Sequence, residues 1–152
     1  MKYLIFLFTL SFSLSLKAEC KNLDGLWDGY CSSDRGQRHG VMWDIVQNDC
    51  ESFRFNDISF EFGEPSIYRF QDSRWHHRMR DEFTYNEDKE YLRMKREQTS
   101  YHRFNANRYR GDGFGRLELR GEDRLHFVLN MRYEQMNYPY EVRNSQIRCR
   151  LR

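Results

Sequence analysis

From Gly25 to the C-terminus, almost every apolar run alternates with polar residues at a spacing of two. A helix repeats every 3.6 residues, so a period of two places one set of side chains on a single face of an extended strand. The clearest case is Leu125, Phe127, Leu129, Met131 and Tyr133 alternating with His126, Val128, Asn130 and Arg132. Gly25 to Cys31 gives a first strand, Val41, Trp43 and Ile45 the inward face of a second, and Phe53 with Phe55 that of a third. Across Asn56-Asp57 come Ile58, Phe60 and Phe62, then a short run from Ile67 to Phe70. Arg80 to Tyr85 and Glu90 to Gln98 flank the polar turn at residues 86–89, and Tyr140 to Leu151 closes the chain. Arg103 to Arg110 and Phe114 to Arg120 read as a hairpin about Gly111-Asp112-Gly113, which places the tripeptide Arg110-Gly111-Asp112, similar to the integrin-binding motif, at a turn. The segment Asp72 to Arg80 lacks clear alternation and is the one place open to a helix.

Strands following one another about every ten residues, joined by short turns, predict an all-β fold: an antiparallel up-and-down barrel of about 8–10 strands. The face opposite the aromatics carries charge, as at Glu118 and Arg120 or Glu141 and Arg143. An outer-membrane barrel needs an apolar lipid-facing band instead. The apolar face is therefore the interior, and a soluble, non-spanning domain is expected. Trp43, Phe53, Phe55, Phe60, Phe62, Tyr85, Met94, Phe127, Leu129, Met131 and Tyr133 are the candidates to line it, either as a ligand cavity or as packed core.

Residues 1–18 have the layout of a secretory signal peptide: Lys2, an apolar run to Leu16, then Lys17-Ala18, with no acidic residue. The run falls short of the roughly 20 residues a spanning helix needs. Residues 19–152 then form one barrel domain, exported to the periplasm or secreted. That domain is electrically neutral, with 23 basic and 23 acidic residues, which argues against nucleic acid or any unselective polyanion as partner. The charges are nevertheless segregated. Residues 19–88 hold 8 Lys and Arg against 15 Asp and Glu, and residues 89–152 hold 15 against 8. Depending on how the halves interleave, this gives either separate acidic and basic walls or local cancellation.

All four cysteines, Cys20, Cys31, Cys50 and Cys149, lie beyond the leader, so an oxidising compartment predicts two disulfides in one of three connectivities. If the first and last strands are neighbours, alternation lets Cys31 and Cys149 meet inside, leaving Cys20 for Cys50. No CxxC pair occurs, and adjacent His76 and His77 point to opposite faces of a strand, so no metal and no cofactor is expected.

The segment Asn22-Leu23-Asp24-Gly25-Leu26-Trp27 resembles the Gly-x-Trp start of lipocalins and related calycin barrels. The resemblance covers about six residues. It implies that Trp27 closes the barrel floor and that a late arginine, Arg148 or Arg150, packs across its ring. The chain is short for a lipocalin and shows no helix after its last strand.

Catalytic patterns are missing: the sequence has no Gly-x-Ser-x-Gly elbow, no His-Glu-x-x-His and no phosphate loop, so no enzyme is expected. Two functions remain. The first is binding of a hydrophobic or amphipathic small molecule inside the barrel, with basic residues favouring an anionic head group. The second is a periplasmic or secreted interaction module, a packed barrel that presents Arg and Tyr to a protein or envelope partner.

Overall fold

The structure, a computed structural model, describes residues 20–86, 88, 90–137 and 139–152. The leader expected at 1–18 lies outside the described residues, as does part of the turn at 86–89. Ten strands follow in order: β1 (Gly25–Ser33), β2 (Arg38–Asn48), β3 (Ser52–Phe55), β4 (Ile58–Glu61), β5 (Pro65–Gln71), β6 (Trp75–Tyr85), β7 (Tyr91–His102), β8 (Arg108–Leu119), β9 (Leu125–Gln135) and β10 (Val142–Leu151). They form one antiparallel sheet in the order β4-β3-β2-β1-β10-β9-β8-β7-β6-β5, which curls into a nearly closed barrel. Every ladder but one joins consecutive strands. The exception is β1 with β10, where Cys31 stands directly opposite Cys149 and is bonded to it. Cys20 and Cys50 form the second disulfide, tying the segment before β1 to the β2–β3 turn. No helix among the described residues is long and apolar enough to cross a membrane.

The structure corrects the sequence reading in three places. The segment from Asp72 is a tight turn and not a helix: Asp72 Oδ1 accepts the amides of Arg74 and Trp75, both at 2.7 Å, and the chain passes straight into β6. This capping of following amides is the habit of Asp in turns. Gly111-Asp112-Gly113 is not a turn either, because β8 runs through it unbroken. Gly111 and Gly113 lie on the inward face, where a Cβ on Gly111 would come within 2.7 Å of the Tyr133 ring and one on Gly113 would overlap the Asn130 carbonyl and Met131. These glycines leave room for large residues on β9. Arg110-Gly111-Asp112 is consequently strand and not a displayed tip. The β7–β8 turn falls earlier, where His102 N donates to Asn107 O at 2.9 Å and Asn107 N to Asn105 Oδ1 at 2.9 Å.

Strand lengths are unequal, and this shapes the wall. β3 and β4 have four residues each, whereas β2 has 11 and β5 has seven. β3 pairs only with Ile45–Asn48 of β2, and the ladder is capped at Asp44, whose amide donates to Asn56 Oδ1 at 2.9 Å while its carbonyl accepts Asn56 N at 2.7 Å. The φ of 50° at Asn56 is one that Asn tolerates. On the other side, Ser66 Oγ donates to Ser59 O at 3.2 Å, marking where β4 and β5 still lie side by side without a backbone ladder. Above the short β3–β4 hairpin the wall therefore has a window, framed by Arg38–Trp43 of β2 and Tyr68–Gln71 of β5.

The Cys31–Cys149 bond closes a loop with a sequence separation of 118, against 30 for Cys20–Cys50. Loop-closure entropy makes the first worth about 4–5 kcal/mol and the second about 3.5 kcal/mol. Urea unfolding of Cys31→Ser/Cys149→Ser is expected to show the larger loss of stability, and a larger loss from Cys20→Ser/Cys50→Ser would refute this ranking.

Candidate binding surfaces

The barrel interior divides into an apolar end and a polar end. Of the eleven expected interior residues, Phe53, Phe60, Met94, Leu129 and Met131 are buried in one cluster, and the other six are partly buried and packed against it. Trp43 meets Phe55 and Phe127 edge-on, with ring centroids 4.9 and 5.6 Å apart. Phe53 stacks on Phe60 and Phe62 at 5.1 and 5.4 Å, and Tyr85 meets Phe62 at 4.9 Å. Such aromatic pairs add to the burial of their area. Phe83, which the sequence reading passed over, is the edge-on partner of both Phe53 and Phe60. Trp27 is buried at the apolar end, its Nε1 donating to Leu23 O at 3.0 Å. The arginine implied to cross its ring is absent from that face: Arg148 and Arg150 flank the inward Cys149, so alternation turns both outward, opposite Ser32 and Tyr30.

Toward the other end the inward positions become polar. Asp81 is 1% exposed yet lies between the inward Met79 and Phe83 on β6. Arg96 of β7 reaches it with two hydrogen bonds, Nε to Oδ1 at 2.8 Å and Nη2 to Oδ2 at 2.6 Å. Tyr68 of β5 donates its hydroxyl to Asp81 Oδ2 at 2.6 Å and accepts Arg96 Nη2 at 3.0 Å. Burial opposes the Arg96 charge, but its hydrogen bonds and attraction to Asp81 prevail and hold the guanidinium above its ordinary pKa. A second cluster adjoins the pair. Gln98 Nε2 donates to Ser100 Oγ at 2.8 Å, His77 Nδ1 lies 2.8 Å from the same hydroxyl, and Tyr133 donates to Gln98 Oε1 at 3.4 Å. The sequence did carry a signal for these residues, since Asp81, Arg96 and Gln98 occupy inward register positions next to buried apolar ones.

The outer face also follows register. Arg93, Arg116, Val128, Arg148, Ser32 and Arg38 are successive neighbours across β7, β8, β9, β10, β1 and β2, a row with four guanidinium groups. Two of them are held over aromatic rings, Arg116 at 3.7 Å from the Tyr91 centroid and Arg38 at 3.3 Å from Tyr30. In the neighbouring row, partial burial and then the charges of Arg120 and Arg150 push the His126 pKa down. A cleft of about 510 Å³ runs beside it, lined by Tyr30, Arg124, His126, Arg150 and Arg152 among others. A larger one, about 750 Å³, lies over β5, β6 and β7, where Arg69, Gln71, His76, Arg78, Thr99 and Tyr101 line it. The up-and-down order keeps β7 to β10 contiguous, so the basic excess of the second half occupies one stretch of wall.

Removing Arg96 leaves a buried carboxylate unpaired, so Arg96→Met is expected to cost about 3–5 kcal/mol, and adding Asp81→Leu should recover most of it. Equal losses in the single and double variants would overturn this account. Burial raises the pKa of three interior phenols, Tyr85 to about 12 and Tyr68 and Tyr133 also upward. Tyrosine in the unfolded chain ionises near pH 10, so the native state then binds more protons. Stability is expected to hold below about pH 10 and to fall as pH rises through the folded values, which thermal melts across that range would check.

Comparison of the chain with protein-family models, with curated proteins and with solved structures found no match in any of the three.

Proposed function

We propose that this chain is an exported interaction module: a packed, disulfide-stapled barrel that presents its arginine-rich outer wall to a protein or envelope partner. The observation that carries the reading is the division of labour between the two faces. The aromatic residues that would line a cavity pack against one another. Outside, Arg38, Arg93, Arg148, Arg150 and Arg152 have no carboxylate within 4.0 Å among the described residues. Exposed cations without a carboxylate partner, beside Tyr30 and Tyr91, suit an interface, where Arg and Tyr are the enriched anchors. Two disulfides are compatible with an oxidising compartment, and the leader pattern of residues 1–18 supports export.

One observation favours the second reading, an amphipathic small molecule in the interior. The window between β2 and β5 leads toward the polar end, where Arg96 could receive an anionic head group beside an apolar floor.

Native mass spectrometry of the protein from its own compartment separates the two. The module reading expects an apo mass that persists after incubation with fatty acids. It also expects a captured partner whose affinity falls with salt and in Arg148→Glu/Arg150→Glu. A stoichiometric lipid or other small molecule, lost in Arg96→Met at a temperature where that variant stays folded, would establish the container reading instead.

A further inference from the structure

We propose that the free edge of β5 at Tyr68–Gln71 accepts an extended peptide of a partner protein as an added strand, and that the peptide's side chains alternate acidic and apolar. The inference deepens the interaction-module reading and rests on it.

The first observation is the interrupted wall. β4 reaches β5 only as far as the Ser59–Ser66 contact, and β5 continues five residues beyond it with β6 on one side and the window on the other. A strand in that position has alternate N–H and C=O groups directed at the gap, which a peptide backbone can satisfy. Natural edges are blunted by short length, Pro, Lys or a bulge. In β5 the proline, Pro65, stands at the end beside β4, and the free segment instead exposes apolar surface at Phe70, 46% accessible, on the face it shares with Tyr68.

The second observation sets the side-chain pattern. On the outer face Arg69 pairs with Arg78, and the row continues through Thr99 and Arg110 to Glu134. Arg69 and Arg78 line the cleft of about 750 Å³. Nearby carboxylates are oriented elsewhere: Glu134 pairs with Arg132 at 2.6 Å and Glu97 with Arg80 at 3.1 Å, while Asp72 caps the Arg74 and Trp75 amides through Oδ1 and directs Oδ2 toward His77 Nε2 at 3.5 Å. An incoming strand places every second side chain beside Arg69, and a carboxylate there meets uncompensated positive charge. The alternate side chains fall on the opposite face, beside Tyr68 and Phe70, where the Phe70 ring stacks on His77 at 4.4 Å. That surface takes an apolar residue.

Two other occupants fit less well. A second copy of this chain pairing edge to edge through β5 would bring the same arginines together, which like-charge pairing opposes. A polysaccharide or nucleic acid has the anionic charge but no peptide backbone to complete the edge.

The test uses the full chain with disulfides intact and a synthetic peptide of about ten residues alternating Glu and Val. Saturable binding is expected, with slowed amide exchange at Tyr68–Gln71, whereas the Lys–Val counterpart should not bind. N-methylating the amides along one edge of the Glu–Val peptide should abolish binding, and along the other edge should leave it, because only one edge faces β5. Arg69→Glu/Arg78→Glu should weaken binding by more than about tenfold. Indifference to N-methylation, equal binding of inorganic polyphosphate at this site, or self-association that depends on β5 would each overturn the proposal. If the peptide fails to bind while a native partner is still released by Arg148→Glu/Arg150→Glu, the module reading stands and the strand-acceptor site falls.

Discussion

The ladder between β1 and β10 is the contact on which the barrel depends. Every other ladder joins strands adjacent in sequence and can form as a local hairpin, while this one brings Gly29–Ser33 to Ile147–Leu151 across nearly the whole chain. Its closure entropy must be met before pairing brings a return, which is the general reason that non-local β topologies fold slowly. The Cys31–Cys149 bond sits inside this ladder and not at a loop. Once formed, it makes the most distant contact permanent and reduces the remaining problem to hairpins. Cys149 is buried at 2% exposure and Cys31 partly so, and both pack against the apolar core.

Fixing the termini together moves the imperfection of the barrel elsewhere. An up-and-down sheet that closes through its first and last strands has no edges. Here closure at β1–β10 is complete, and the gap falls between the sequence neighbours β4 and β5. The cause lies in the lengths: a four-residue hairpin cannot cover strands of 11 and seven residues. Asn56, bonded on both its backbone and its side chain to Asp44, ends that hairpin at a defined height. The window is thus a built feature of the wall, and the polar interior network lies at the level where the wall is interrupted.

Much of this was legible in the residues. The period of two gave the class and the inward set from Trp43 to Tyr133, because a buried face admits no slip in register, and the short turns between strands gave the antiparallel direction. Alternation paired Cys31 with Cys149 only on the condition that the first and last strands are neighbours, which the β1–β10 ladder meets. It failed where a residue type carries two meanings. Gly111 and Gly113 read as a turn because glycine is the usual turn residue, yet here the missing Cβ makes space for Tyr133 and Met131. Asp81 and Arg96 carry no mark of an interior role singly, because each alone would be too costly to bury. Only their pairing across β6 and β7, with Tyr68 as a third partner, makes the position tenable, and that pairing requires the register. The resemblance to lipocalins located Trp27 correctly in the interior, but the same alternation that buries Cys149 turns Arg148 and Arg150 away from it.

The neutral total charge of the domain conceals an arrangement that only topology reveals. In a fold with crossovers, a chain acidic in its first half and basic in its second would mix the two signs in space. In a meander, strands near in sequence stay near around the barrel, so the basic excess of residues 89–152 persists as a surface feature of β7 to β10. Arg93 and Arg116 stand directly opposite each other in one ladder, a like-charge pair that the fold would shed if stability alone were at stake. Its cost is softened locally by Tyr91 and Glu118, which hold Arg116 in place. A row of guanidinium groups steadied by aromatic rings keeps its charge oriented at the surface of the wall. Such a field acts over roughly a Debye length, about 8 Å at physiological salt. It therefore fades close to the wall, in keeping with the equal numbers of basic and acidic residues in 19–152.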